Sequence, residues 1–263
     1  MATKALFYTT RFNNRDIEAT SFNLQDDKIT PINKVLLEGQ IQAPITVVDE
    51  LIHFEDGTFI REKCIQFPVC VYRVSRDRVS GQSVFKYKDP DIIPVRIRFT
   101  NLLSKHFITP DLSELEGTFL RVTEGTYRSS YVNDVMGHHV AFHVEATEFD
   151  FITEEECQFT NRIFLRGFIC NPDFEVRQTG AGPIIDLKLA VNRIEYSLED
   201  LLERKKIPTD YIQCITWNDV TKYLLDNLST GDLINIEGRI QSRSFPNNAY
   251  RKVVHEVSVV DLT

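Results

Sequence analysis

The chain has 263 residues and a formal charge of −8, with 42% hydrophobic and 11% aromatic residues. That is the composition of a folded protein with room for two small domains, and it excludes a disordered tail. No run is apolar for long enough to span a membrane, and the opening MATKALFYTTRF lacks the charged-then-apolar plan of a secretion signal.

In chain order, residues 1–32 come first. TKALFYTTRF reads as a strand and NNRD as a turn, and nothing later in the chain repeats them. From Asn33 a series of short alternating segments begins: NKVLLEGQI, then FPVCVYRVSR from Phe67, PVRIRFTN from Pro94, LEGTFLRVTEGTYRSSY, and HHVAFHVEAT from His138. A junction, FDFITEEECQFTN, carries the acidic triplet Glu154, Glu155 and Glu156, and it is too short to swing freely. From Asn161 the series recurs in the same order as NRIFLRGFI, PIIDLKLAVNR, YIQCITWN, GDLINIEGRIQSRSF and RKVVHEVSV. The offset of roughly 120 residues is that of a domain-sized repeat. The expected divisions are therefore 1–32, an N-terminal extension of unassigned role; 33–150, a degenerate first copy; and 161–263, a second copy.

Alternation in the second copy is that of half-buried strands. Ile185, Leu187, Leu189 and Val191 share one face, with Asp186, Lys188 and Ala190 on the other. Ser197 with Asp200 makes a capping box for a short helix bearing Leu198, Leu201 and Leu202. A second helix is expected with Asn218 or Asp219 as its cap, Val220, Tyr223, Leu224 and Leu228 on its buried face, and Ser229-Thr230-Gly231 ending it. On the strand 211–217, Tyr211 and Trp217 turn outward if Cys214 and Thr216 turn inward. On the strand ending at Phe245, Arg239, Gln241 and Arg243 share its parity, opposite Ile234, Ile236 and Ile240.

NRIFLRGFICNP, LAVNR, the TD-plus-aromatic strand ending at Trp217 and IEGRIQSRSF, in this order and spacing, resemble the bacterial single-stranded DNA-binding protein family. The resemblance covers about the last hundred residues well and the earlier copy loosely. It implies an all-β fold of two tandem oligonucleotide/oligosaccharide-binding (OB) barrels of five strands each, with short helices. It implies base stacking on Tyr196, Tyr211, Trp217 and Phe245, and phosphate contacts from Lys188, Arg193, Arg239, Arg243, Arg251 and Lys252. In the first copy the stretch 72–88 reads as a basic hairpin around Gly81, with Tyr72, Arg73, Arg76, Arg78, Phe85, Lys86, Tyr87 and Lys88 as candidates beside the alternative of a solvated charged loop. Phe99 corresponds to Trp217, and Tyr127 or Tyr131 lies near the position of Phe245. The structural alternative for Tyr211 and Trp217 is packing against the first barrel or another subunit.

A single-strand binder needs a basic track for phosphates and aromatic faces for bases, each stacked base being worth about 1–3 kcal/mol. The negative total charge runs against this, but it is uneven. Residues 161–263 carry 13 Lys/Arg against 14 Asp/Glu, while residues 1–160 carry 17 against 24. Local placement of charge sets the potential of a groove.

Catalysis is not expected. The chain has no P-loop, nucleophile elbow or HExxH motif. His139, His143 and Glu145 share a strand parity that could bind a metal, but a coincidental surface cluster is the reading preferred; an OB-fold nuclease ranks a distant third. Five cysteines, Cys64, Cys70, Cys157, Cys170 and Cys214, have no CxxC spacing, so they read as core residues of a cytoplasmic protein without a zinc site. The expected function is non-catalytic binding of single-stranded DNA, largely without sequence preference, in replication, recombination or repair. The expected partners are the DNA strand, a second copy in a homodimer that pairs through edge strands or outer apolar residues such as Ile215, and replication or mobile-element proteins. The alternative is a primosomal or architectural module whose aromatic face receives protein. VSVVDLT at the C-terminus lacks the acidic tip usual in the resembled family, which implies a protein that only coats DNA or a tailless adaptor.

Overall fold

The computed structural model describes residues 8–12, 15–19, 28–53, 59–76, 83–104, 112–134, 137–171, 173–194, 196–197, 207–246 and 251–262. Its contacts divide the chain into two units, one joining 34–162 to 240–255 and the other joining 1–33 and 163–239 to 256–263. Compared with the expected linear division, the stretch 240–255 groups with the first barrel.

The extension supplies a hairpin of β1 (Tyr8–Phe12) and β2 (Arg15–Ala19), then the two-residue strand β3 (Lys28–Ile29). The first barrel follows with β4 (Ile32–Ile41), β5 (Thr46–His53), β6 (Phe59–Arg76), β7 (Ser83–Arg98), the helix α1 (Phe99–Ser104), β8 (Phe119–Asp134) and β9 (Gly137–Ile152). β4 pairs antiparallel with both β6 and β8, β6 with β7, and β8 with β9. A parallel pairing of β7 with β9 then closes the ring.

The second barrel has β10 (Asn161–Ile169), β11 (Val176–Thr179), β12 (Gly182–Asn192), β13 (Tyr196–Ser197), β14 (Thr209–Trp217), the helix α2 (Asn218–Asn227), β15 (Leu233–Pro246) and β16 (Arg251–Leu262). Its pairings repeat the first ring: β10 with β12 and β15, β12 with β14, β14 parallel to β16, and β16 beside β15. Each ring therefore runs first, second, third, fifth, fourth and back to first, with a helix between its third and fourth strands. Each also carries an extra strand on its second one, β5 on β6 and β11 on β12, which the sequence pattern did not announce.

Each first strand serves two neighbours, and a glycine marks the changeover. A Cβ on Gly39 would lie 2.4 Å from the Cys70 carbonyl oxygen, and one on Gly167 would lie 2.4 Å from that of Ala190. Beyond the glycine, the main-chain bonds match. Ile41 N donates to Thr118 O at 2.8 Å and accepts at its own carbonyl from Gly117 N at 2.9 Å; Ile169 does the same with Asp232 O at 3.0 Å and Gly231 N at 2.8 Å. Inside the second ring, Ile185, Leu187, Leu189, Val191, Ile212, Cys214 and Ile240 are all at 0% exposure, as the alternation requires.

Two local expectations change. Trp217 is the N-cap of α2 and makes no side-chain capping bond, while Asn218 has φ 48°, so neither Asn218 nor Asp219 caps. Thr221 and Leu224 are buried in α2 and Tyr223 is 48% exposed, because the helix is rotated to bring Thr221 Oγ1 within 2.9 Å of Thr216 Oγ1. β13 pairs antiparallel with β3, Tyr196 opposite Ile29 and Ser197 opposite Lys28, and the helix that Ser197 was expected to cap with Asp200 lies outside the described residues. The stripe Leu198, Leu201, Leu202 lies outside the described residues.

Gly167→Ala should overpack the first strand against the second and cost about 1–3 kcal/mol, read as a lower urea midpoint at unchanged slope. An unchanged midpoint would mean that strand curvature does not depend on the missing side chain.

Candidate nucleic-acid interface

The outer face of β12 and β14 is set by register. Ala190 lies opposite Tyr211, Lys188 opposite Gln213, Asp186 opposite Ile215, and Ile184 opposite Trp217. Lys188, Ala190, Tyr211, Gln213 and Trp217 are partly exposed, whereas the intervening Ile212, Cys214 and Thr216 are fully buried, as inward-turned Cys214 and Thr216 required. Ile215 is also at 0% exposure, so it is not available as an outer pairing residue. Lys188 Nζ sits 5.5 Å from the centroid of the Tyr211 ring, within cation–π range. The nearby Asp186 carboxylate is taken by Arg177 Nη2 at 2.5–2.7 Å. The upshot is a wet strip with one cation and two aromatic rings over a dry core.

Arg193 is differently engaged. Its Nε and Nη2 donate to Asp210 Oδ2 and Oδ1 at 2.9 and 2.7 Å, and the Asp210 side chain has 0% exposure. The fork ties the end of β12 to the start of β14. The first barrel holds the same device, Arg73 Nε and Nη2 donating to Asp91 Oδ2 and Oδ1 at 3.2 and 2.8 Å, with Asp91 1% exposed. Sequence reasoning missed both pairs; the signal is an Asp just ahead of the apolar alternation of each third strand, in TDYIQCITW and DPDIIPVRIRF.

Along β15, Ile234, Ile236 and Ile240 are buried and Arg239 and Arg243 partly exposed, as alternation predicts, but Gln241 is 4% exposed and belongs to the interior of that face. Phe245 falls on β15, Arg251 and Lys252 on β16, and Tyr196 on β13; their side chains lie outside the described residues. The basic stretch 72–88 is a hairpin, with Arg73 opposite Lys86, Val74 opposite Phe85 and Arg76 opposite Ser83. The side chains of Arg76, Phe85, Lys86, Tyr87 and Lys88, and the whole of Arg78 and Gly81, lie outside the described residues. Tyr72 packs edge-on to Phe159 at 5.0 Å between ring centroids, and Phe159 in turn meets Phe119 at 6.3 Å. Phe99, partly exposed, opens α1 where Trp217 caps α2. Tyr127 is 1% exposed and stacks with Phe142 at 5.3 Å, so it is a core residue, unlike the outward position suggested by its place in the repeat. Tyr131 lies on β8.

Cations of the first barrel are largely matched by acids. Arg98 pairs with Glu145 and Glu62, Arg128 Nε with Glu145 at 3.3 Å, and Arg121 Nε with Glu38 at 2.8 Å. Glu145 is thus held by two guanidinium groups. His143 and Glu145 are 4% and 7% exposed, so they are buried and not a surface cluster. Among the described residues no group of three or more His, Cys, Asp or Glu is arranged to hold a metal ion, and no helix is long and apolar enough to cross a membrane. All five cysteines are buried and free; burial pushes the Cys170 thiol up to about 11 and raises that of Cys214 further, which suits core packing and not thiolate chemistry.

The ring order and the helix between third and fourth strands define an OB-fold protein. Comparison with known proteins narrows the class. A model of the single-strand binding protein family matches residues 160–263. Over 94 residues the chain is 35% identical to the single-stranded DNA-binding protein of Halalkalibacterium halodurans, covering 35% of this chain and 52% of that protein. It is 32% identical over 94 residues to single-stranded DNA-binding protein A of Bacillus subtilis, covering 35% and 51%. The chain spans about half the length of the curated relatives it matches. The wild-type single-stranded DNA binding protein from Thermus aquaticus superposes with a TM-score of 0.59 at 19% identity, covering 89% of this chain and 93% of that one. The segment 160–263 is thus similar to the single-strand binding protein family.

Removing Arg193 leaves a fully buried carboxylate without its fork. Arg193→Ala should cost about 3 kcal/mol, the lower end for breaking a buried pair because the arginine itself is 37% exposed, with Arg193→Lys in between. Full stability of Arg193→Ala in urea denaturation, together with weaker binding of single strands, would return Arg193 to the phosphate track.

Proposed function

We propose that the protein binds single-stranded DNA without catalysis and largely without sequence preference, in replication, recombination or repair. The observation that carries the reading is the outer strip of β12 and β14, where Tyr211, Trp217 and Lys188 remain partly open to solvent while their alternate neighbours are sealed in the core. Every base has a face that stacks on an aromatic ring, and a lysine beside it meets the phosphate; the pair needs no base-edge readout. The match of 160–263 to the model of the single-strand binding protein family supports the same reading. Arg239, Arg243, Phe245, Arg251 and Lys252 extend the track along β15 and β16. Tyr196 is proposed as a further contact in the unit that bears the strip, and Phe99 and the hairpin bearing Tyr72, Arg73, Arg76, Phe85, Lys86, Tyr87 and Lys88 as contacts in the other unit, with Arg193 and Arg73 acting through the forks that fix their strands.

The test is titration with poly-dT at several salt concentrations. Trp217→Ala should weaken binding by about 1–3 kcal/mol and leave the salt slope unchanged, because stacking releases no counterions. Lys188→Ala should flatten the slope by about 0.7 log units per log unit of salt. Wild-type protein that does not bind poly-dT even at low salt overturns the function. If Trp217→Ala lowers thermal stability while folded protein keeps its affinity, the ring is a packing residue.

We also propose a homodimer. The ring count of two per chain leaves β5 and β11 with a single neighbour each among the described residues, and such strands are available for pairing. Light scattering should report twice the chain mass, 60.8 kDa against the 30.4 kDa of one chain. Only monomer at concentrations approaching millimolar would remove this proposal.

A further inference from the structure

Within the unit formed by 34–162 and 240–255, the middle of β7 grips both strands of the β15–β16 hairpin. Asp91, 1% exposed, accepts from Ser242 N at 3.0 Å while also holding the Arg73 fork. Ile92 N donates to Ser242 Oγ at 2.8 Å, and His255 Nε2 donates to Ile92 O at 2.9 Å. Two consecutive residues of the first barrel thus fix one residue of β15 and one of β16. Asp210, which holds the matching fork in the second barrel, lies on the strand whose outer face bears Tyr211 and Trp217.

The hairpin carries part of the surface that the proposed function assigns to the strand. Arg243 follows Ser242 directly and so turns to the opposite side of β15, with Phe245 next but one on the same strand and Arg251 and Lys252 opening β16. A connection between two strands that carries ligand contacts is usually a mobile loop. Ordering such a loop on binding costs affinity. Here the bonds to Ser242 and His255 hold the strands on either side of the connection, 240–246 and 251–255, before any single strand arrives.

We infer that Asp91 and Ser242 are positioning residues that pre-order the hairpin strands 240–246 and 251–255 as a fixed part of the single-strand path. Neither need touch the nucleic acid. The inference rests on the proposed function, since it takes the hairpin to be part of the surface that meets the strand.

The experiment uses the full chain as wild type, Ser242→Ala, Ser242→Thr and Asp91→Asn. Each is titrated with poly-dT at several salt concentrations, and amide hydrogen exchange is followed over 240–255. Ser242→Ala and Asp91→Asn should bind about threefold to tenfold more weakly, the effect of one lost hydrogen bond. Exchange should quicken along β15 and β16 together, and the salt slope should hold because no phosphate contact is removed. Ser242→Thr keeps the hydroxyl and should bind within about twofold of wild type. Faster exchange with unchanged affinity overturns the inference, for the hairpin is then no part of the path. Weaker binding with unchanged exchange overturns it too, since Ser242 or Asp91 would then touch the strand directly. Failure of the wild type itself to bind poly-dT is a different result and removes the function together with the inference.

Discussion

A small barrel closes only if one strand can hydrogen-bond to neighbours on both sides while bending between them, and in both units that demand falls on the first strand. β4 pairs with β8 through Val35–Gln40 and with β6 through Gln40 and Ile41; β10 pairs with β15 through Ile163–Phe168 and with β12 through Phe168 and Ile169. At the changeover the second strand's carbonyl comes so close that a Cβ would sit 2.4 Å from it, which leaves room for glycine alone, at Gly39 and Gly167. The outward or inward direction of every other side chain follows from that closure. Once the first strand is curled, register on each side fixes the parity of its neighbours, and parity decides that Cys214 is core while Tyr211 is not.

The forks Arg73–Asp91 and Arg193–Asp210 act at the opposite end of the same barrels. The second ties the end of β12 to the start of β14, and the first ties β6 to the middle of β7 where their register shifts between Val71 and Arg73. A buried carboxylate is costly unless it is paired and hydrogen-bonded. Here both oxygens of each aspartate are used, and Asp91 accepts a main-chain bond as well. The consequence is a rigid mouth, and side chains on rigid strands hold a ligand surface in place better than side chains on loops.

The charge imbalance between the two halves of the chain has a structural counterpart. In the first barrel Arg98, Arg121 and Arg128 are bound by Glu62, Glu145 and Glu38, so much of its basic content is spent on its own acids. In the second barrel Lys188 lies against an aromatic ring, and the neighbouring carboxylate of Asp186 is satisfied by Arg177. A total of −8 therefore says little about the potential over the strip at Tyr211 and Trp217.

The repeat of short segments was legible in the sequence, because period-2 alternation and the spacing of glycines record strand faces directly: NKVLLEGQI and NRIFLRGFI announced β4 and β10, and YIQCITWN announced which residues of β14 would be dry. The order of landmarks from Asn161 also announced the family whose model that segment matches. Long-range partners left no such trace. Nothing in the local pattern says that Asp210 will meet Arg193, that Tyr127 will be sealed beside Phe142, that Ile215 will be covered on its outward face, or that α2 will turn Thr221 inward and Tyr223 outward. The grouping of 240–255 with the first barrel was equally invisible, since a strand's alternation is the same whichever surface its end packs against. Alternation is a property of one strand and can be read from it; pairing, burial of polar groups and the docking of a hairpin depend on distances between residues far apart in the chain, which only the folded structure sets.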